Sequence, residues 1–321
     1  MPGKHLVPDS DDAHHTGRAG MSPTVGFAAC CVAAYHRAMG PGHTLSTRQR
    51  DLLDGWLPGA KIVRDHSWGL VGTTVLELVH HGRRYIVKAG DEQDHHLARE
   101  SRAHRDWLAP WTSRGRAPVL EYADEEAKLL VTRHLPGELV QGRDEERDPE
   151  IYRQAGELLA VLHGQSSVED ERFEAEARDK ALSWLARPHR ITPEVVRRLR
   201  AEMESWPAPV VTLVPTHGDW QPRNWLVHEG VVAVIDFGRA APRPALTDLA
   251  RLAAQQFRNG PALEAAFLDG YGHDPRESAA WRRNRFREAV ATAVWAHQVG
   301  DERFERQGHR MIADAVTDYW N

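Results

Sequence analysis

Apolar and polar positions follow different patterns in the two halves of the chain. Between residues 61 and 132, short apolar or alternating runs separated by turn residues predict β-strands. From residue 148 onwards, apolar side chains recur every three or four positions, which predicts amphipathic helices. The predicted strands cover 61–66, 74–79, 85–89, 118–122 and 127–132. The fold class predicted from this order is α+β, with a small antiparallel sheet followed by a mostly helical part.

Capping residues mark several of the predicted helix ends. Ser46 is a suitable N-cap for a first helix that ends at Trp56, and Asp148 with Pro149 begins another that ends at Gly164. The remaining predicted helices cover 97–108, 193–206, 252–257, 261–271, 278–299 and 302–320. Residues 165–180 are highly charged and are predicted to form a surface connection.

One stretch carries the residues that phosphoryl transfer requires. Asp219 lies in a tight turn, Asn224 follows it by five positions, and Asp236 follows a short apolar strand. The first separation is that between the catalytic Asp and the metal-binding Asn of kinases, and the sequence from Ile235 to Gly238 has the form of the metal-binding DFG element. Such enzymes hold Mg²⁺ on the nucleotide phosphates and aim an acceptor hydroxyl at the γ-phosphorus. The stretch therefore predicts a kinase-type catalytic loop.

The pattern HGD-x4-N followed by IDFG resembles the aminoglycoside phosphotransferase family of small-molecule kinases. Further matches to the family occur in the expected order and span about residues 60–250: Tyr85–Lys88, Leu129–Gly137, Leu162–His163 and Asp248–Ala250. The resemblance implies a two-lobed fold like that of protein kinases. It places an N-lobe at residues 45–132 and a C-lobe at residues 133–321.

The resemblance also implies where the nucleotide binds. Lys88 would contact the α- and β-phosphates of ATP and pair with a helix carboxylate, for which spacing proposes Glu100 and, less well, Glu92. Ser67 and the backbone of residues 69–73 are candidates to lie over the phosphates. The Thr132 carbonyl and the His134 amide would bind the base. Because only backbone groups take part there, GTP is not excluded as the donor.

Each residue of the catalytic loop is then assigned a role. Asp219 is expected to accept or orient the proton of the acceptor hydroxyl, and Asn224 and Asp236 are expected to bind Mg²⁺. Arg223 has two alternatives: it stabilises the developing charge on the transferred phosphate, or it binds a nearby carboxylate.

Three further side chains near the loop are assigned structural roles. His217 is expected to brace the catalytic loop by hydrogen bonding, Asp248 resembles the family's loop-bracing aspartate, and His163 is expected to be a structural hydrogen-bonding residue rather than a catalytic one. Trp220 and Trp225 either pack the loop or contact the substrate.

Composition narrows the range of partners. The net charge of −5 gives no indication of nucleic-acid binding, and adjacent Cys30 and Cys31 provide no disulfide framework. The apolar run at 25–35 is too short to span a membrane. Residues 1–44 are predicted to be a disordered tail, with a secretion signal or a later start at Met21 or Met39 as alternatives. An ATP-dependent enzyme is expected in the cytoplasm, and no oligomeric state is predicted.

The acceptor is predicted to be a small molecule. Only nine residues separate Gly238 from Asp248, which is too few for the activation loop and peptide platform of a protein kinase. The resemblance implies an aminoglycoside-type antibiotic, and a sugar, an amino sugar, an amino alcohol or another natural product is the alternative. Candidates to bind its amines are Asp269, Glu277, Asp301, Glu302 and Glu305. Two other classes are alternatives, a non-catalytic pseudokinase and a metal hydrolase built on His217-Gly218-Asp219.

Overall fold

A computed structural model describes residues 45–67 and 73–320 of the chain. The predicted tail at 1–44 and most of the predicted phosphate-covering loop lie outside the described residues. Within the described part, no helix is long and apolar enough to cross a membrane.

The first part of the chain forms a five-stranded antiparallel sheet in the order β1-β2-β3-β5-β4. Its elements are α1 Thr47–Trp56, β1 Lys61–Asp65, β2 Thr73–His80, β3 Arg83–Gly90, α2 His96–Asp106, α3 Ala109–Thr112, β4 Leu120–Asp124 and β5 Leu129–Arg133. All five predicted strands are present, with each end within two residues of its predicted position. The predicted lobe boundary after residue 132 falls at the end of β5.

The two faces of this sheet have different chemistry. On one face, side chains such as Leu76, Leu78 and Val87 form a core with Leu53 and Leu57 from α1 and the turn after it. Helix α1 begins with a capping box between Ser46 and Gln49, as its N-cap predicts. On the other face, β3 carries Lys88 opposite Val75 of β2 and Leu130 of β5. Because side chains alternate along a strand, this second face carries the residues that point to the rest of the molecule.

The second part of the chain is mostly helical. Its elements are β6 Glu138–Leu139, α4 Pro149–His163, β7 Val168–Asp170, α5 Phe173–Trp184, α6 Pro193–Glu204, β8 Val211–Thr216, β9 Trp225–His228, β10 Val231–Val234, β11 Ala241–Arg243, α7 Ala250–Ala254, α8 Pro261–Tyr271, α9 Ser278–Val299 and α10 Glu302–Trp320. The largest core joins α4 and α8 to the aromatic residues of the catalytic loop. A separate core joins α5, α6, α9 and α10.

Two three-stranded antiparallel sheets hold the predicted catalytic segment. One has the order β10-β9-β6 and contains the hairpin between Asn224 and Asp236. The other has the order β11-β8-β7, in which Ala241 pairs with Thr216 and Arg243 pairs with Val214. The chain therefore enters the catalytic loop on β8 and returns beside it on β11.

One predicted connection is wrong. Residues 165–180 were expected to form a surface connection, but they contain β7 and most of α5. Charged residues dominate the sequence of α5, so its few apolar positions give no clear helical pattern. Ala181 and Trp184 are buried at the end of the helix. The predicted helix at 252–257 is also shifted, because α7 begins at Ala250 and ends at Ala254.

Candidate active site

The catalytic loop between β8 and β9 is fixed by a buried carboxylate. The two oxygens of Asp248 accept hydrogen bonds from the backbone amides of His217 at 2.8 Å and Gly218 at 2.7 Å. Gly218 has a φ of +79°, and a Cβ there would lie 2.3 Å from the Arg239 carbonyl oxygen. Glycine is therefore required at this turn both for its backbone conformation and for space.

Buried side chains hold Asp248 in turn. His163 at the end of α4 lies 3.1 Å from Asp248 through Nε2 and 2.7 Å from the Tyr271 hydroxyl through Nδ1. Burial would raise the pKa of Asp248, but hydrogen bonding and charge from His163 and His217 lower it, so the carboxylate stays ionised. These contacts agree with the loop-bracing role expected for Asp248 and with the structural hydrogen bonding expected for His163. Tyr271 was not predicted, since nothing in its local sequence distinguishes it from a packing residue.

His217 also occupies a bracing position. Its Nε2 lies 3.1 Å from the Ile235 carbonyl oxygen, and its Nδ1 accepts a hydrogen bond from the Asp219 amide at 3.2 Å. The ring therefore ties the turn before Asp219 to the strand before Asp236. Trp220 and Trp225 are fully buried and pack in the core of the loop.

The side chain of Asp219 is almost completely buried and closely surrounded by donors. Arg223 Nη2 donates to Oδ2 at 2.6 Å, Asn224 Nδ2 donates to the same oxygen at 3.0 Å, and Gln221 Nε2 donates to Oδ1. Arg251 Nε of α7 lies 3.2 Å from Oδ1. For Arg223, the contact is that of the second alternative, in which it binds a nearby carboxylate.

Three arginines determine the charge state of Asp219. Burial would raise the pKa of this carboxyl group, but the guanidiniums of Arg251, Arg223 and Arg239 hold it well below its ordinary range. Asp219 is therefore a stable anion at neutral pH. Arg251 and Arg239 were missed from the sequence, because neither lies within the HGD-x4-N spacing that identified the loop.

Asn224 and Asp236 provide the oxygen atoms expected for a magnesium site. Asn224 directs its Nδ2 at the Asp219 backbone oxygen (2.8 Å) and at Oδ2, so its amide oxygen is the end left for a cation. Asp236 has φ +67°, which is uncommon for a residue other than glycine, and its side chain is 51% exposed. The Ile235 amide bonds to the Asn224 carbonyl at 3.0 Å, which joins the two segments. Amide and carboxylate oxygens fit Mg²⁺, which fills its other positions with water and phosphate oxygens.

Lys88 connects the five-stranded sheet to this site. Its Nζ lies 2.9 Å from both carboxylate oxygens of Glu100 and 3.0 Å from Asp236 Oδ1. Burial would lower the pKa of Lys88, but Asp236 and Glu100 together raise it above its ordinary value, so the ammonium is retained. The structure thus brings Lys88 together with Glu100, the partner that spacing proposed, and not with Glu92.

The backbone groups assigned to the base require a correction. The His134 amide donates to the Arg84 carbonyl oxygen at 3.0 Å, so it is not available to a nucleotide. Thr132 lies opposite Ile86 in the same ladder, where hydrogen-bonded positions alternate, so its carbonyl also points to β3. The Arg133 amide instead bonds to Val119, on the other side of β5. Both groups that the sequence assigned to the base thus face β3, because strand register is not determined by the local motif.

Ser67 lies at the edge of the described residues beside β2. Its hydroxyl accepts a hydrogen bond from the Val75 amide at 2.9 Å, and its own amide bonds to Asp65. Nearby, the carboxylate of Glu77 lies on the Lys88 face of the sheet and contacts His66 Nε2 at 3.0 Å and Arg84 Nε at 2.6 Å. The side chain of Glu77 is only 2% exposed, so the Lys88 face of the sheet is polar at this position. The sequence does not predict this buried carboxylate.

Comparison with known proteins agrees with this arrangement. A sequence profile of the phosphotransferase enzyme family, APH, matches residues 64–286. No curated protein shows a significant sequence match to the chain.

Several solved structures share the fold. A thermostable mutant of the aminoglycoside phosphotransferase APH(4)-Ia, in complex with ADP and hygromycin B, is 13% identical with a TM-score of 0.64, over 86% of this chain and 100% of that one. Choline kinase LicA from Streptococcus pneumoniae is 13% identical with a TM-score of 0.58, over 84% and 98%. Spectinomycin phosphotransferase APH(9)-Ia is 12% identical with a TM-score of 0.54, over 84% and 93%.

The TM-scores establish a common two-lobed, protein-kinase-like fold. The sequence identities are too low to identify the substrate. The profile match covers more than half of the chain and includes Lys88, Asp219, Asn224 and Asp236. The chain therefore belongs to the phosphotransferase enzyme family, whose members are small-molecule kinases.

Proposed function

We propose that this protein transfers the γ-phosphoryl group of ATP to a hydroxyl group of a small molecule in an Mg²⁺-dependent reaction. The observation that carries the proposal is the convergence of Lys88, Glu100 and Asp236 within 3.0 Å contacts, next to the loop that presents Asp219 and Asn224. Structural neighbours crystallised with ADP support the choice of an adenine nucleotide. GTP is an alternative donor.

Each of these side chains has one task in the proposed reaction. Lys88 binds the α- and β-phosphates, and Glu100 holds the lysine in place. Asn224 and Asp236 would hold Mg²⁺, which supplies positive charge to the phosphate oxygens when bound. The base would be bound by the Arg133 carbonyl and the Leu135 amide. These replace the Thr132 carbonyl and the His134 amide, which face β3. Ser67 lies beside the strand that leads to the phosphates.

Asp219 acts on the acceptor. The acceptor oxygen forms a bond to the γ-phosphorus while the bond from phosphorus to the β–γ bridging oxygen breaks, and the hydroxyl proton passes to Asp219. A carboxylate this strongly stabilised by arginines is a weak base, so its main task is to orient the hydroxyl and receive the proton late. Arg223 keeps Asp219 in position and directs its remaining N–H donors to phosphate oxygens.

The aminoglycoside-type acceptor stays a prediction, supported by the hygromycin B and spectinomycin bound in two structural neighbours. Several carboxylates proposed to bind amines already have structural partners. Glu277 caps α9 through the amides of Ala279 and Ala280, and Asp301 bonds to the Phe304 amide. Glu305 is paired with Arg190 and His297. Asp269 and Glu302 are exposed.

The test is ADP formation by the purified protein with Mg²⁺ and ATP. The acceptor panel consists of aminoglycosides, neutral sugars, amino sugars, amino alcohols and hydroxy acids. We expect at least one acceptor to stimulate turnover, and Asp219→Ala to reduce it by about 10² to 10⁴-fold. Asp318→Ala, which removes an exposed carboxylate on α10, is the matched control. Turnover that survives Asp219→Ala would exclude the mechanism, and an inert panel would favour a non-catalytic binding role.

A further inference from the structure

One face of helix α2 lies against the segment that contains Asp236. His96, Glu100 and His104 follow one another at intervals of four positions, so they lie on the same side of the helix. Each of them contacts one residue of the segment 236–238, either directly or through Lys88. Three side chains of one helix thus hold three consecutive residues, and the position of α2 is tied to the conformation of this segment.

Two of the contacts fix the first two residues of the segment. Lys88 Nζ lies 2.9 Å from the Glu100 carboxylate and 3.0 Å from Asp236 Oδ1, so it links the helix to the carboxylate. The ring of His104 meets the edge of Phe237, which is fully buried. These contacts leave the last residue of the segment to His96.

His96 contacts the backbone at the end of the segment. Its Nδ1 lies 2.9 Å from the Gly238 carbonyl oxygen, and because a carbonyl only accepts hydrogen bonds, Nδ1 is the donor. A Cβ at residue 238 would lie only 3.1 Å from the Cβ of His96, so there is little room between the two residues. The hydrogen bond is therefore made where the helix and the segment approach most closely.

The start of α2 is itself anchored to the five-stranded sheet. Asp94 Oδ1 accepts a hydrogen bond from the Leu97 amide at 3.0 Å, and its Oδ2 accepts one from the Thr73 hydroxyl at 3.0 Å. Thr73 begins β2, so the first turn of the helix has a fixed position on the sheet. His96 connects this fixed point to the segment.

The backbone of Asp236 explains why the segment needs such support. Its φ of +67° lies in the left-handed region, which a residue other than glycine keeps only where the surrounding structure imposes it. The peptides that follow Asp236 must be held for this conformation to persist. Without the contact from His96, the Gly238 carbonyl would be free to turn, and the backbone that orients Asp236 would be less constrained.

We propose, building on the proposed function, that His96 is a positioning residue for the magnesium site. Its hydrogen bond to Gly238 holds the segment so that the Asp236 carboxylate keeps the orientation in which it binds the metal. In the competing explanation, the contact only joins the two parts of the molecule and adds to stability. Loss of a contact of that kind weakens nucleotide binding equally with and without Mg²⁺, whereas loss of a positioning contact weakens the part of binding that depends on the metal.

The test compares nucleotide binding with and without the metal. Calorimetry measures the Kd of AMP-PNP for the full chain, once with Mg²⁺ and once with EDTA, and the ratio of the two values reports how strongly the metal supports binding. We expect His96→Leu to lower this ratio by about tenfold, because groups that orient a metal ligand typically change metal affinity by about 10- to 100-fold. The Kd measured with EDTA should stay close to that of the wild type.

Two further substitutions at the same position test the geometry. In His96→Asn the side-chain amide can donate from nearly the position of Nδ1, so this variant should keep most of the ratio. In His96→Gln the amide lies one methylene further out, nearer the position of Nε2, and the ratio should fall as in His96→Leu. Thermal unfolding of each variant verifies that it is folded at the temperature of the binding experiment.

Two reference variants set the scale of the effect. Asp236→Asn weakens the metal ligand itself and gives the size of a full loss. His228→Leu makes the same change as His96→Leu at an exposed position on β9 and should behave like the wild type.

The proposal is overturned if His96→Leu keeps the wild-type ratio while Asp236→Asn lowers it, if His96→Leu weakens binding equally with Mg²⁺ and with EDTA, or if His96→Asn and His96→Gln behave alike. The proposed function fails in a different way. If Mg²⁺ does not tighten binding to the wild type and Asp236→Asn has no effect, the magnesium site itself is wrong, and the role of His96 falls with it.

Discussion

His104 of α2 is a buried imidazole in an unusual environment. Its ring meets the edge of Phe237 with centroids 5.6 Å apart, and neither ring nitrogen has a hydrogen-bond partner among the described residues. Burial, with a contribution from the positive charge of Lys88, lowers the pKa of His104 to about 3. The folded protein therefore holds this histidine neutral, whereas the unfolded chain protonates it near pH 6.5.

His104→Leu is expected to change how stability depends on pH. Between pH 6.5 and about 3 the unfolded state binds more protons at this position, so the wild type loses stability as pH falls, by about 1.4 kcal/mol per unit. The variant lacks this loss. Its free energy of unfolding relative to wild type should therefore rise by about 3 kcal/mol between pH 7 and pH 4, as measured by urea unfolding.

His228→Gln, at an exposed position on β9, is the control for this experiment. It should leave the pH dependence as it is in the wild type. If the free energy of unfolding changes equally with pH in His104→Leu and in the wild type, His104 is not held neutral by the fold.

At the scale of single residues, the spacing of the motif was sufficient to predict the catalytic loop. Contacts between residues far apart in the sequence were not predicted. Asp219, Asn224 and Asp236 are fixed by one motif, and helical spacing was sufficient to pair Glu100 with Lys88. Arg251 reaches Asp219 from 32 positions away on a different element, and that contact has no local signal.

Two glycines allow α4 and α8 to pack with their backbones in contact. A Cβ on Gly156 would lie 2.1 Å from the Phe267 carbonyl oxygen, and one on Gly270 would lie 1.9 Å from the Arg153 carbonyl oxygen. This close approach matters for the site, because α4 and α8 carry His163 and Tyr271, which hold Asp248.

Gly156→Ala should force these helices apart. The expected result is a loss of about 1–3 kcal/mol in the free energy of unfolding, the usual range for overpacking, and reduced turnover because His163 and Tyr271 no longer hold Asp248 in place. Thermal and urea unfolding check the first effect, and the ADP assay checks the second.

Gly55→Ala provides the matched control, since a Cβ there meets nothing within 4 Å and the position is exposed on α1. That change should be neutral or stabilising by up to about 1 kcal/mol. Equal stability of Gly156→Ala and wild type would show that the helices can separate without loss.

At the scale of elements, a strong periodicity of apolar residues predicted helices correctly, and a sparse apolar pattern did not. Helices α8, α9 and α10 have the predicted bounds, and the bounds of α8 and α9 coincide with proline, glycine or capping residues. Helix α5 was missed because its first turns are charged and only three of its residues are buried. The register of β5 against β3 also depends on tertiary pairing, which explains why the Thr132 carbonyl and the His134 amide face β3 and are not open to a base.

The sheet-containing and helical parts of the molecule are connected at the proposed nucleotide site. Lys88 and Asp236 are separated by 148 positions, and His96 Nδ1 of α2 lies 2.9 Å from the Gly238 carbonyl oxygen. A nucleotide bound by Lys88 and Asp236 would therefore interact with both parts and stabilise the whole fold.

Mg²⁺ with ATP should raise the Tm of the wild type, and Lys88→Met should lose most of this shift. Ligand at 100 times its Kd contributes about 2.7 kcal/mol, which is large enough for differential scanning fluorimetry to detect. Lys61→Met, an exposed change on β1, is the control and should respond like the wild type. An undiminished shift in Lys88→Met would place the nucleotide elsewhere.

Strand β11 has a consequence for how the activity is controlled. In protein kinases the segment after the DFG element is the one that phosphorylation orders and releases. Here Ala241 to Arg243 are paired with β8, the strand that leads into the catalytic loop, and Asp248 anchors the same loop a few residues later. With this segment built into a sheet, the enzyme is assembled as soon as it folds. We therefore expect the activity of the folded protein to need no phosphorylation of this segment.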